Sequence, residues 1–136
     1  MRSMSRWIAT ALAVLGTAAL PASAAGTEAE PAFAPIACPA SASPQIDCYE
    51  ARDANGAWMM VAMPRTWNRR LIVHAHGGPR LGAPEAGDSA EDLDRFAVMV
   101  RNGYAWIGTT YRRGGYGVRM AAADVDVSRR AFWARW

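Results

Sequence analysis

The sequence has no lysine: all 15 of its basic residues are arginines, and these are scattered among 12 acids instead of forming a stripe. With no basic patch and no interleaving of basic and aromatic residues, nothing points to nucleic acid as a partner. The missing lysine and the abundant alanine fit a GC-rich bacterial genome. Cysteine is scarce as well. Only Cys38 and Cys48 are present, and their spacing is not the C-x-x-C of a thiol redox centre. The longest apolar run, Trp7 to Leu20, is too short to span a bilayer. No internal repeat is visible.

What is there begins with a leader. Arg2 and Arg6 precede the apolar run, and Pro21-Ala22-Ser23-Ala24-Ala25 follows it as an A-x-A cleavage signal. Residues 1–24 therefore read as a secretory signal peptide, which makes the protein secreted or periplasmic, with no membrane association once the signal is removed. Losing Arg2 and Arg6 takes the arginines from 15 to 13 against 12 acids, so the basic pI carries no message about partners. An oxidising destination lets Cys38 and Cys48 pair as a staple across a short loop.

Residues 25–45 are rich in Ala, Pro, Ser and Glu and read as a linker or extended arm. Residues 46–136 read as one α/β unit. Ile46 to Arg52 and Ala57 to Met63, joined by the Asn55-Gly56 turn signal, form a hairpin. Leu71 to His76 is a short apolar run of the kind buried on both faces of a parallel sheet. Ser89 stands three residues before Asp92 as a capping-box variant, and Leu93, Phe96, Ala97 and Val100 recur at helical spacing until Asn102-Gly103. Tyr104 to Tyr111 has strand composition, which completes a βαβ unit. Val118, Ala122, Val125, Phe132 and Trp136 share one face of a final helix, on which the sequence stops. A crossover helix returns the chain to a further strand. The expectation is therefore an interrupted reading frame or a partial gene, with the C-terminal portion missing.

Two glycine-rich turns leave the ends of the βαβ strands, where ligands sit in open α/β sheets. The first is His76-Gly77-Gly78-Pro79 and the second Tyr111-Arg112-Arg113-Gly114-Gly115-Tyr116-Gly117, with Gly103-Tyr104 between them. Over about forty residues this ordered set resembles the α/β-hydrolase superfamily, in its esterase and prolyl-oligopeptidase-like branches. The resemblance implies the N-terminal part of an α/β-hydrolase sheet, a hairpin followed by βαβα, ending before the nucleophile elbow. It implies a serine hydrolase that cleaves a small-molecule ester or a peptide through an acyl-enzyme, with no cofactor.

In such a site, backbone N–H groups must approach a developing oxyanion closely, which favours residues without Cβ. Gly78 is the expected donor, with Gly77 second; Pro79 has no N–H to offer. His76 is expected to brace the loop through its ring. Arg80, Tyr111, Arg112 and Tyr116 are expected around the substrate, although loop solubility explains the arginines nearly as well. The family's G-x-S-x-G serine is absent. Gly87-Asp88-Ser89-Ala90-Glu91 lacks the second glycine and falls at a helix cap. The family's triad runs Ser, Asp or Glu, then His along the chain, so neither His74 nor His76 is its base, and the fragment by itself is expected to be inactive.

Three competing accounts remain. Gly77-Gly78-Pro79 is also an ordinary tight turn leaving a strand. The whole chain is also readable as a small secreted binding module, stapled by Cys38 and Cys48 and without catalysis. His74 and His76, two apart on a strand, face the same way as in metal-dependent hydrolases, but no third His or Cys follows at ligand spacing, so no metal is expected. Asp124 and Asp126, two apart on a helix, are expected at the solvated surface with Arg129 and Arg130.

Overall fold

The computed structural model describes residues 30–42, 44–78 and 80–136, so the signal-peptide reading of residues 1–24 and the conformation of Pro79 lie outside the described residues. The elements are β1 (Ala34–Ile36), β2 (Ile46–Arg52), β3 (Trp58–Pro64), β4 (Leu71–Ala75), α1 (Ala90–Arg101), β5 (Ala105–Thr109) and α2 (Val118–Arg135). Among the described residues the strands make one mixed five-stranded sheet, ordered β1-β2-β3-β5-β4. Strands β1, β2, β3 and β5 pair antiparallel in turn, and β4 joins β5 in parallel. This is an α/β architecture.

The hairpin forms where the Asn55-Gly56 signal put it. Asp53 Oδ1 accepts the Asn55 and Ala57 N–H groups at 2.9 and 2.8 Å, and Gly56 takes φ +95°, which closes the turn without strain. The stretch read as a linker or extended arm is anchored: it supplies β1, with Ile36 opposite Cys48 and a disulfide joining Cys38 to Cys48.

Alternation along the strands separates two cores. Met60, Ala62 and Trp106 point to one face, where Leu93 and Val100 of α1 cover them. Met59, Val61, Ala105 and Ile107 point to the other, beneath Ala131 and Phe132 of α2. The helices thus lie on opposite faces of the sheet, and β5, buried along its whole length, is an interior strand between β3 and β4. Trp106 lies across Gly108, where a Cβ would fall 2.3 Å from the indole, so glycine is required there.

Several sequence expectations need correction or sharpening. β4 is covered on both faces, Ile72 by the α1-side core and Leu71 and Val73 by the α2-side core, but Leu71 to His74 are only half-buried and β4 stands at the sheet edge, because β5 inserts between β3 and β4. An apolar run records that its faces are covered, not how many neighbours it has. Ser89 occupies the N-cap position of α1, but its side chain makes no capping hydrogen bond, and the Asp92 carboxylate is engaged by His76 instead. On α2 the inward residues are Asp124, Ser128, Ala131 and Phe132, whereas Val118 is 83% exposed. Asp124, assigned to the surface by spacing alone, is 1% exposed because Arg112 reaches in to neutralise it. Asp126 is at the surface, paired with Arg129 and Arg130. The inward face of α2 packs on β4 and β5.

Candidate functional site

Because β4 and β5 run parallel, both release their chains at the same end of the sheet, and the two glycine-rich turns meet there. The Tyr111 hydroxyl donates to the His76 carbonyl at 2.8 Å, and Gly115 N–H donates to the Arg80 carbonyl at 2.8 Å. The loops approach so closely that a Cβ on Gly114 would lie 2.5 Å from the Arg80 oxygen. That contact, more than any turn, makes glycine necessary at Gly114.

Between the loops and the start of α2 lies a cleft of about 570 Å³. His76, Gly78 and Tyr111 border it on the sheet side, and Tyr116, Val118 and Val125 supply part of an apolar wall. Gly77 and Gly78 are exposed, and their N–H groups have no hydrogen-bond acceptor among the described residues. Gly78 adopts φ +79°, which side chains disfavour. The loop therefore presents backbone donors at the border of an apolar space.

Asp92, 4% exposed, is the anchor behind this loop. His76 Nδ1 lies 2.9 and 3.0 Å from its two carboxylate oxygens, so Nδ1 carries the proton and donates. The His74 ring stacks on Trp106 and meets Phe96 at a tilt, with centroids 5.5 and 4.9 Å away, and its Nε2 lies 3.6 Å from Asp92. Arg80 stands 3.9 Å from the same carboxylate and 3.7 Å from Asp88. The first turn of α1 thus holds the end of β4. Capping logic singled out Asp92 for a different task, and only the packing of α1 over β4 reveals this one.

The remaining expected residues separate. Tyr111 borders the cleft, and Tyr116 stands at it 89% exposed. Arg80 instead lines a smaller, polar hollow of about 290 Å³ with Glu85 and Asp88. Arg112 does not line the cleft. Its guanidinium grips Asp124 through Nε and Nη2, its backbone N–H donates to the other carboxylate oxygen at 2.9 Å, and the hydrogen bond to Asp124 raises its pKa further. His74 and His76 do share one carboxylate partner, yet no group of three or more His, Cys, Asp or Glu among the described residues has the geometry to hold a metal ion.

Tyr111 itself is unusual. It is a non-glycine residue at φ +63°, two residues past the end of β5. Its N–H donates to Thr109 Oγ1 at 3.3 Å, and Thr110 Oγ1 donates to its carbonyl at 2.9 Å. Burial, and then the charges of Asp92 and Asp124, push its phenol above the ordinary tyrosine pKa of 10.0.

None of the described serines is placed as a nucleophile. Ser41 bonds to Asp94, Ser128 to the Val125 carbonyl, and Ser89 is buried at the start of α1. No family model, curated protein or solved structure matches the chain.

Proposed function

We propose that this chain forms the oxyanion side of a secreted or periplasmic serine hydrolase of the α/β-hydrolase type, acting on an ester or peptide. The observation that carries the reading is the His76-Gly77-Gly78 loop after β4: both glycines are exposed, their N–H groups have no acceptor among the described residues, and Gly78 borders an apolar cleft. Such donors stabilise the tetrahedral oxyanion of acyl transfer. The apolar wall suits the hydrophobic part of an acyl or side-chain group. The nucleophile and its base would come from residues outside this sequence, so the chain alone is expected to be inactive.

The test is the reading frame that contains this sequence. If it runs on, within about 30 residues, into a strand and a G-x-S-x-G elbow, protein from that frame should react with a fluorophosphonate and hydrolyse p-nitrophenyl esters. Substituting Gly78→Ala should then lower kcat. A frame with no such elbow, and a protein that the probe never labels, would sink the proposal. That result would favour a disulfide-stapled binding module, for which the Cys38–Cys48 bridge and the serine-free cleft are the supporting observations.

A further inference from the structure

We propose that the cleft between the glycine-rich loops and α2 is a binding site for an uncharged apolar small molecule and rejects anionic ones; as a statement of substrate class this rests on the hydrolase reading above, whereas the binding itself does not. At about 570 Å³ the cleft has the size of a small-molecule site. Its helical side is Val118, Ala121, Ala122 and Val125, spaced three and four apart, so that one stripe of α2 supplies a continuous apolar surface. The two alanines keep it hollow, because their side chains end at Cβ. Val118 and Ala122 are exposed, which leaves the surface open to an occupant.

The opposite side is held in place before anything binds. Tyr111 fastens the first loop through the His76 carbonyl, and Gly115 N–H fastens the second to the Arg80 carbonyl. Met120 is the adaptable part of the border. It packs on Gly117, where a Cβ would fall 3.2 Å from its terminal methyl, and its unbranched thioether can follow the shape of an apolar group.

Charge decides which apolar molecules fit. No Arg, Asp or Glu is among the described residues that border the cleft, although Arg80, Arg112 and Arg113 all belong to the two loops. Arg112 is committed to Asp124. Arg80 is committed to Asp88 and Asp92 beside the smaller hollow. His76 does border the cleft, and it gives Nδ1 to Asp92. An anion entering would therefore shed its hydration with no cation to replace it, a cost that an uncharged group escapes.

The experiment uses two fluorescent probes on one framework: N-phenyl-1-naphthylamine, which is uncharged, and 8-anilino-1-naphthalenesulfonate, which adds a sulfonate. Titrated with the chain, the uncharged probe should saturate at one site and bind about tenfold more tightly than the sulfonate. Ala122→Trp fills the cleft and should weaken the uncharged probe by about tenfold, whereas Ala123→Trp, exposed one residue further on and outside the border, should leave it unchanged. Circular dichroism of both variants should match the parent; if Ala122→Trp fails that check, Val118→Asp at an 83% exposed position replaces it, with the same loss expected. Absence of saturable binding, or binding that the cleft variant leaves intact, overturns the site, and equal or tighter binding of the sulfonate overturns the exclusion of anions. Binding that weakens as the chain self-associates also overturns the proposal, since a second copy would then be the occupant. In protein from the longer frame, kcat/KM for p-nitrophenyl butyrate should exceed that for p-nitrophenyl hemisuccinate by about tenfold or more, and the reverse order overturns the substrate class. If the probes behave as expected but a fluorophosphonate never labels that protein, the binding site is supported and the hydrolase reading is what fails.

Discussion

At the scale of single residues, the two aspartates of α2 show how little spacing says about burial. Asp124 and Asp126 are separated by one residue, yet one is enclosed with Arg112 and the other lies in solvent between Arg129 and Arg130. Replacing Asp124 by Ala removes the acceptor of an Arg112 side-chain pair and of a backbone N–H. Urea unfolding should show a loss of about 2–3 kcal/mol. Replacing Asp126 by Ala should leave the urea midpoint unchanged, because its partners are exposed and screened. Its pH signature is still readable. The hydrogen bond from Arg129 lowers the Asp126 pKa from 3.8, so the small stabilisation is present above the ordinary carboxylate range and is lost as pH falls through the depressed value. A 13C-detected carboxyl titration should place Asp126 below the ordinary aspartate value of 3.8, and high salt should shrink the gap.

At the scale of elements, α1 and the disulfide give opposite expectations. A serine at an N-cap ordinarily contributes about 1 kcal/mol through its side chain. Ser89 makes no such bond, so Ser89→Ala should cost less than about 0.5 kcal/mol in urea unfolding. The Cys38–Cys48 bridge closes a loop of 10 residues and fastens β1, a strand of 3 residues, to β2. Reduction should destabilise the protein by about 2–3 kcal/mol, with β1 amides exchanging first in hydrogen-exchange measurements.

What was legible in the sequence follows the range of the interactions. The hairpin, α1 and its Asn102-Gly103 end are written in local signals, and the structure has them. The junction of the two glycine turns was legible too, because parallel strands must leave the sheet at one end. The inward face of α2 was hidden, since Asp124 counts as polar until an arginine 12 residues away neutralises it. The bracing of His76 by Asp92 was hidden for the same reason: the partners lie 16 residues apart, on different elements.

At the scale of the whole molecule, the outer edge of β4 has no neighbouring strand among the described residues. Phe96, packed against His74 of that strand, remains 41% exposed. An apolar strand with free backbone groups on one side is a template for pairing. Sedimentation should therefore show an average mass that rises with protein concentration, and Phe96→Glu should reduce the rise. A monomer at every concentration would mean that this edge is covered.

The insertion of β5 between β3 and β4 also sets an order of events for a chain that emerges from its N-terminus. The β2–β3 hairpin is complete once Pro64 is out, and its cysteines are available earlier still. Strand β4 appears next but has nothing to pair with, because its only partner among the described residues, β5, ends at Thr109. For the length of α1 the apolar strand must wait unpaired. Such an interval is the time when a chaperone would bind or an aggregate would start. The strand that leads into the His76-Gly77-Gly78 turn is thus the part of the sheet that waits longest for its partner.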